Sequence, residues 1–249
     1  ISYPLSMPKY LIPRKFNDNL KKIKNNLKTD GILIWNNSHI AYLLNLRSFE
    51  LLNSTKPFAG LFIPKKNIEP ILITNNSNLN KISKISNSLK IFREEKFIQF
   101  LKLSKLKSIE TSYEFLNLNV YMRLSKFLNL HETRINISKY LGIKTSKEIK
   151  NIENCHIEDG LSVVKFIIDL KQKNINPKNE HEISEYLYNI RKEGINFFRN
   201  SFDYISAFDS NAAIVHYKPT PTKSLSFKNR NVLLIDSGAQ YLEGTTDIT

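Results

Sequence analysis

The chain has 249 residues, 41% hydrophobic and 24% charged, a balance that supports a packed core in one large domain or two ordinary ones. Its 37 Lys and Arg against 23 Asp and Glu give a formal net charge of +14, but the basic residues are scattered along the sequence and form no block, which argues against a nucleic-acid surface. A single cysteine, Cys155, rules out an intrachain disulfide and any cysteine-rich metal site, and no apolar run approaches the roughly 18 residues that span a bilayer.

The first residues carry no charged stretch followed by an apolar one, so no signal peptide is expected. Phe16, Leu20, Ile23 and Leu27 recur at helical spacing and predict a helix over 14–29. A buried strand follows over 31–35. Asn36-Asn-Ser38 then reads as a cap before a short helix over 39–46. Residues 60–63 and 70–74, separated by Pro64-Lys-Lys-Asn67, read as a hairpin. Helices are expected over 78–89, 97–106 and 114–129, with a strand near 91–92. This mixture predicts an α/β or α+β domain up to about residue 135.

Residues 131–145 read as a connection. A long helix is expected over 146–173, with Ile149, Ile152, Val163, Ile167 and Leu170 as its apolar stripe. A second helix is expected over 180–192, with Gly194 as its stop. The period then changes to strands, over 202–207, 213–217, 232–235 and 245–248.

Three residues in this last stretch carry candidate chemistry. Asp236 and Asp247 lie eleven positions apart, and a hairpin turning around Tyr241-Leu-Glu-Gly244 brings them onto neighbouring strands. Two close carboxylates repel unless a proton or a cation sits between them. Oxygen ligands of this kind suit hard divalent ions such as Mn²⁺ or Mg²⁺. The alternative is that Asp236 only starts a turn and Asp247 is an exposed strand residue. His216, between Val215 and Tyr217, is expected in a strand, as a substrate-side group or as a structural histidine. His156 is expected to pack on its helix. No phosphate-cradling glycine loop and no G-x-S-x-G turn occurs.

Asn211-Ala-Ala-Ile-Val-His-Tyr-Lys-Pro219, Leu233-Leu-Ile-Asp-Ser-Gly-Ala-Gln-Tyr241 and Gly244-Thr-Thr-Asp-Ile-Thr249 together resemble the Xaa-Pro aminopeptidases of the pita-bread metallopeptidase group. Ile143 to Gly160 is similar to the family's entry helix, and Glu182-Ile-Ser-Glu185 to the opening of its second helix. Ile40-Ala-Tyr-Leu-Leu-Asn-Leu-Arg47 is similar to its non-catalytic domain, although Ser48-Phe-Glu50 departs from the family's Arg-Gly continuation. The resemblance implies a creatinase-type N-terminal domain over 1–140 and the start of a pita-bread catalytic domain over 141–249. It further implies Asp236 and Asp247 as ligands of two divalent ions, Mn²⁺ by expectation. His216 becomes the histidine that binds substrate and stabilises charge at the scissile bond. The implied reaction releases the N-terminal residue that precedes proline, in the cytoplasm, from a protein that can be a homodimer when full length. A prolidase-like dipeptidase and a non-catalytic peptide-binding module are the alternatives. The family's remaining histidine and two glutamate ligands have no match before Thr249, so these residues alone are expected to be a fragment without peptidase activity.

Overall fold

The structure, a computed structural model, describes residues 5–66, 68–76, 89–228 and 230–249. The chain forms two compact units, Ile1–Lys144 and Thr145–Thr249.

The first unit runs β1 (Leu5–Ser6), α1 (Phe16–Asn26), β2 (Gly31–Ile34), α2 (Asn37–Leu44), β3 (Leu46–Arg47), β4 (Gly60–Pro64), β5 (Ile71–Ile73) and β6 (Lys90–Phe92). It continues with α3 (Glu94–Leu103), β7 (Ser108–Thr111), α4 (Leu118–Leu124), β8 (Asn129–Glu132) and α5 (Ile137–Gly142). Six strands make one mixed sheet in the order β6-β5-β4-β2-β7-β8, with β4 antiparallel to both of its neighbours. β2 is buried at every position, and strand alternation sends its side chains to both faces. Ile32 and Ile34 pack with Leu20 and Ile23 of α1 and with Ile40 and Leu43 of α2. Leu33 packs on the other side with Phe97 and Leu101 of α3 and with Val120 and Leu124 of α4. Helices on both faces of a mixed sheet make this an α/β unit.

The second unit opens with α6 (Ser146–Lys171), whose Thr145 and Glu148 form a capping box. Next come α7 (Glu180–Lys192), β9 (Phe197–Asn200), β10 (Ile205–Phe208), a 3-10 turn (Asp209–Ala213), β11 (Leu233–Asp236) and β12 (Ala239–Tyr241). β10 pairs with β11 and β12 with β9, both antiparallel. Phe166 of α6 joins Ile183, Leu187 and Ile190 of α7, Tyr204 and Phe208 in the unit's main core.

Several expectations are corrected. The helix read over 114–129 is only Leu118–Leu124, because Asn117 caps it by accepting from the amides of Asn119 and Val120 and the chain then enters β8. Strands β7 and β8 and helix α5 were not expected, and 131–145 is therefore more than a connection. On α6 the buried face is Asn151, Cys155, Asp159, Ser162 and Phe166, while Ile149 and Ile167 of the expected stripe are exposed. His156 is exposed and not packed; its Nδ1 lies 2.9 Å from the Ile152 carbonyl oxygen. Gly194 does not take a left-handed conformation. The helix expected over 78–89 falls, but for Leu89, outside the described residues.

Candidate metal centre

The hairpin that carries the two aspartates is held by backbone bonds. Ser237 and Ile248 exchange hydrogen bonds of 2.9 and 2.8 Å, the Thr246 amide donates to the Ala239 carbonyl, and the Tyr241 amide donates to the Gly244 carbonyl. Leu242 and Glu243 form the turn. Ser237 stands opposite Ile248, and Gln240 opposite Thr245. In this register Gly238 stands opposite Asp247. Asp236, two positions before Gly238, has its side chain on the same face as Asp247, since side chains alternate along a strand.

Between the two acids stands a residue without a side chain. A Cβ on Gly238 would lie 2.1 Å from the Thr246 carbonyl oxygen and 2.4 Å from Ser201 Oγ. Ser201 itself donates to that carbonyl, at 3.1 Å. The close backbone approach at Gly238 therefore fixes how near the strand of Asp236 lies to that of Asp247.

Asp236 is half-buried at the end of β11, where it pairs with Ile205, and Asp247 is exposed. Neither carboxylate accepts a hydrogen bond or joins an ion pair among the described residues. Two unengaged carboxylates on one face suit a hard divalent cation. They are an incomplete set, since no group of three or more His, Cys, Asp or Glu among the described residues could hold a metal ion.

His216 is not in a strand. The Ile214 amide donates to the Asn211 carbonyl and the Tyr217 amide to the Ile214 carbonyl, so this backbone bonds within its own turns instead of along a ladder. His216 has φ of 58°, in the left-handed region, and its ring is exposed. It is not gathered with the two aspartates into a metal-sized cluster.

The inner end of the hairpin is anchored by buried charge. Arg191 of α7 donates from Nε to Asp159 Oδ1 at 2.6 Å and from Nη2 to Oδ2 at 2.9 Å, and the Tyr241 hydroxyl donates to Oδ1 at 2.8 Å. Burial, and then the charge of Asp159, push the Tyr241 phenol well above its ordinary range. The Arg191 guanidinium also lies 5.0 Å from the centre of the Tyr204 ring. Sequence reasoning missed this trio. The available signal was the spacing of Asn151, Cys155, Asp159, Ser162 and Phe166, which recur in steps of three and four along one helix face. A cleft of about 420 Å³ in the first unit is lined by residues including Trp35, His39, Phe115 and Arg134 and holds none of the three candidate residues.

Residues 156–249 match metallopeptidase family M24. Over 246 residues the chain is 28% identical to Xaa-Pro aminopeptidase 1 of Dictyostelium discoideum, covering 95% of this chain and 39% of that protein. It is 30% identical over 251 residues to a probable Xaa-Pro aminopeptidase P of Pyrenophora tritici-repentis, covering 93% of this chain and 41% of the relative. The chain thus spans about two fifths of the length of these relatives. Among solved structures, an X-prolyl aminopeptidase from Caenorhabditis elegans, described as a cytosolic enzyme with a di-nuclear active site, superimposes with a TM-score of 0.83 at 19% identity, covering 99% of this chain and 42% of that one. Residues 156–249 are thus similar to metallopeptidase family M24, and the chain is similar over nearly its whole length to part of the Xaa-Pro aminopeptidases.

Proposed function

We propose that this chain is part of a metal-dependent aminopeptidase that releases the N-terminal residue preceding proline. The observation that carries the reading is the shared face of Asp236 and Asp247 across Gly238, inside a segment that matches family M24. The names of the relatives support the Xaa-Pro substrate class over a prolidase-like dipeptidase.

In this reading residues 1–140 are a non-catalytic creatinase-like domain and 141–249 open the pita-bread catalytic domain. Asp236 and Asp247 would hold two divalent ions, Mn²⁺ in our proposal, together with ligands from elsewhere in the full-length protein. Bound cations of this kind acidify water and polarise a carbonyl. The hairpin register sets the two carboxylates on one face and so would set where that charge sits. His216, exposed and without a hydrogen-bond partner among the described residues, is the group that meets the substrate and stabilises charge at the scissile bond. A cytoplasmic location and a homodimeric full-length protein belong to the same proposal. Among the described residues no helix is long and apolar enough to cross a membrane.

The test supplies full-length protein with Mn²⁺ and three substrates: an Xaa-Pro-Xaa tripeptide, an Xaa-Pro dipeptide and an Xaa-Ala-Xaa tripeptide. Release of the first residue from the Xaa-Pro-Xaa tripeptide alone is expected, and Asp236→Asn or Asp247→Asn is expected to abolish it. Cleavage confined to the dipeptide would establish the prolidase alternative. Binding without cleavage of any of the three would establish the non-catalytic one.

A further inference from the structure

Glu180, the first residue of α7, is fully buried, and every hydrogen bond its carboxylate accepts comes from the connection that leads from β10 to β11 or from the end of β10 itself. Its Oε1 accepts from the Phe208 amide at 2.6 Å and from Asn211 Nδ2 at 3.1 Å. Its Oε2 accepts from Asn211 Nδ2 at 3.1 Å, from the Tyr217 hydroxyl at 2.7 Å and from the Leu225 amide at 2.7 Å. The Glu180 amide in turn donates to the Leu225 carbonyl at 3.2 Å. A buried carboxylate is costly unless its lone pairs are taken, and here four donor groups converge on one side chain.

Two of those donors bracket the candidate histidine. Asn211 and Tyr217 are tied to Glu180 and to each other, with Asn211 Nδ2 donating to the Tyr217 oxygen at 3.0 Å. Between them the chain makes two tight turns and leaves His216 at φ of 58°. A left-handed backbone at a residue with a Cβ costs about 1–2 kcal/mol, and such strain persists only where the surroundings over-determine it. The His216 ring makes no hydrogen bond among the described residues, so nothing in its own side chain explains the conformation.

We propose that Glu180 is a positioning residue for His216: it fixes Asn211 and Tyr217, and through them holds His216 in its left-handed, outward-facing conformation. This rests on the reading of His216 as the substrate-side histidine. Glu180 touches no reacting atom in this scheme. It sets the angle at which the imidazole is presented, and a misplacement on the scale of an ångström costs up to about a hundredfold in rate.

The test pairs catalysis with backbone protection. In the full-length protein, Tyr217→Phe removes one hydroxyl and keeps the ring, and Glu180→Gln replaces two acceptors by one. Both are expected to lower kcat on an Xaa-Pro-Xaa peptide by about tenfold with KM little changed. In a His216→Ala background neither is expected to lower kcat further. Hydrogen exchange at residues 212–218 is expected to accelerate in Tyr217→Phe while α7 keeps its protection. An equal loss in both backgrounds, an unchanged kcat alongside faster exchange, or unchanged exchange would each overturn the proposal. If His216→Ala alone leaves kcat intact, the substrate-side reading of His216 is what fails. The exchange measurement then decides on its own whether Glu180 and Tyr217 hold the segment.

Discussion

Asp159 and Arg191, 32 positions apart in the sequence, meet as a bidentate pair with neither side chain exposed to solvent. The Tyr241 hydroxyl completes the group, so α6, α7 and β12 are joined at one buried point. Removing one partner leaves a charge stranded in a site that excludes water. Arg191→Met is expected to destabilise the second unit by about 3–5 kcal/mol, read by chemical denaturation. Replacing both charges together, with Asp159→Leu added, is expected to restore much of that loss. A single variant as stable as the parent would show that the pair is not buried in solution.

The contact at Gly238 gives a sharper local test. A methyl group there meets the Thr246 carbonyl and Ser201 Oγ well inside contact distance, and the carbonyl belongs to backbone that has no rotamer to change. Gly238→Ala is expected to cost about 1–3 kcal/mol and to speed hydrogen exchange at residues 244–248. Unchanged exchange would mean that the two strands lie further apart than the register requires.

His216 allows a test of backbone strain apart from chemistry. Glycine tolerates the left-handed region and alanine does not, so His216→Gly is expected to melt higher than His216→Ala. The gap expected is about 1–2 kcal/mol, reduced by the greater freedom glycine has in the unfolded chain. Equal stability of the two variants would show that the positive φ is not held in solution.

Alkaline pH is expected to weaken the second unit. Burial, helped by a hydrogen bond to Asp169 at Tyr186 and to Glu180 at Tyr217, raises Tyr186 and Tyr217 to about 12. Burial raises Tyr204 to about 12 and lifts Tyr241 further. An unfolded tyrosine titrates near about 10. A raised folded pKa means that the fold holds the phenolic proton more tightly than the unfolded chain does. The stabilisation is therefore complete below about pH 10 and is lost as the pH rises through about 12. A falling Tm over that window, flattened in part by Tyr217→Phe, is the expected result. A Tm independent of pH from 10 to 12 would contradict it.

Local signals made much of the fold legible. Asn36 was readable as a cap, and in the structure it accepts from the amides of Ser38 and His39 to start α2. The apolar run at Gly31–Ile34 was readable as a buried strand because every position of it packs. Glu180–Lys192 was readable because its apolar residues keep one face. The hairpin of Asp236 and Asp247 followed from two short runs around a glycine-containing turn. What stayed hidden depends on partners distant in sequence. Val215 and Tyr217 look like strand residues, but the turn at Ile214–Tyr217 is stabilised by Glu180, whose role no local pattern announces. The inward face of α6 contains Asn151, Asp159 and Ser162, so a search for apolar periodicity selected Ile149 and Ile167, which face solvent. Strand β8 begins at a polar asparagine and is held by pairing with β7, which periodicity within the segment does not reveal.

The bonds to Glu180 also divide the β10–β11 connection into parts with unequal freedom. Phe208, Asn211, Tyr217 and Leu225 are its fixed points. Between the last two, the stretch Thr220–Lys223 closes on itself through the bond from the Lys223 amide to the Thr220 carbonyl, and residues 221–223 are exposed. Added length there falls in an exposed turn tied to its own neighbours, the Lys223 amide and Ser224 Oγ both donating to the Thr220 carbonyl, whereas one extra residue between Asn211 and Tyr217 breaks the bracket. A short tag or a fluorescent reporter belongs between Pro221 and Thr222, where it can sit on this connection without turning the imidazole of His216.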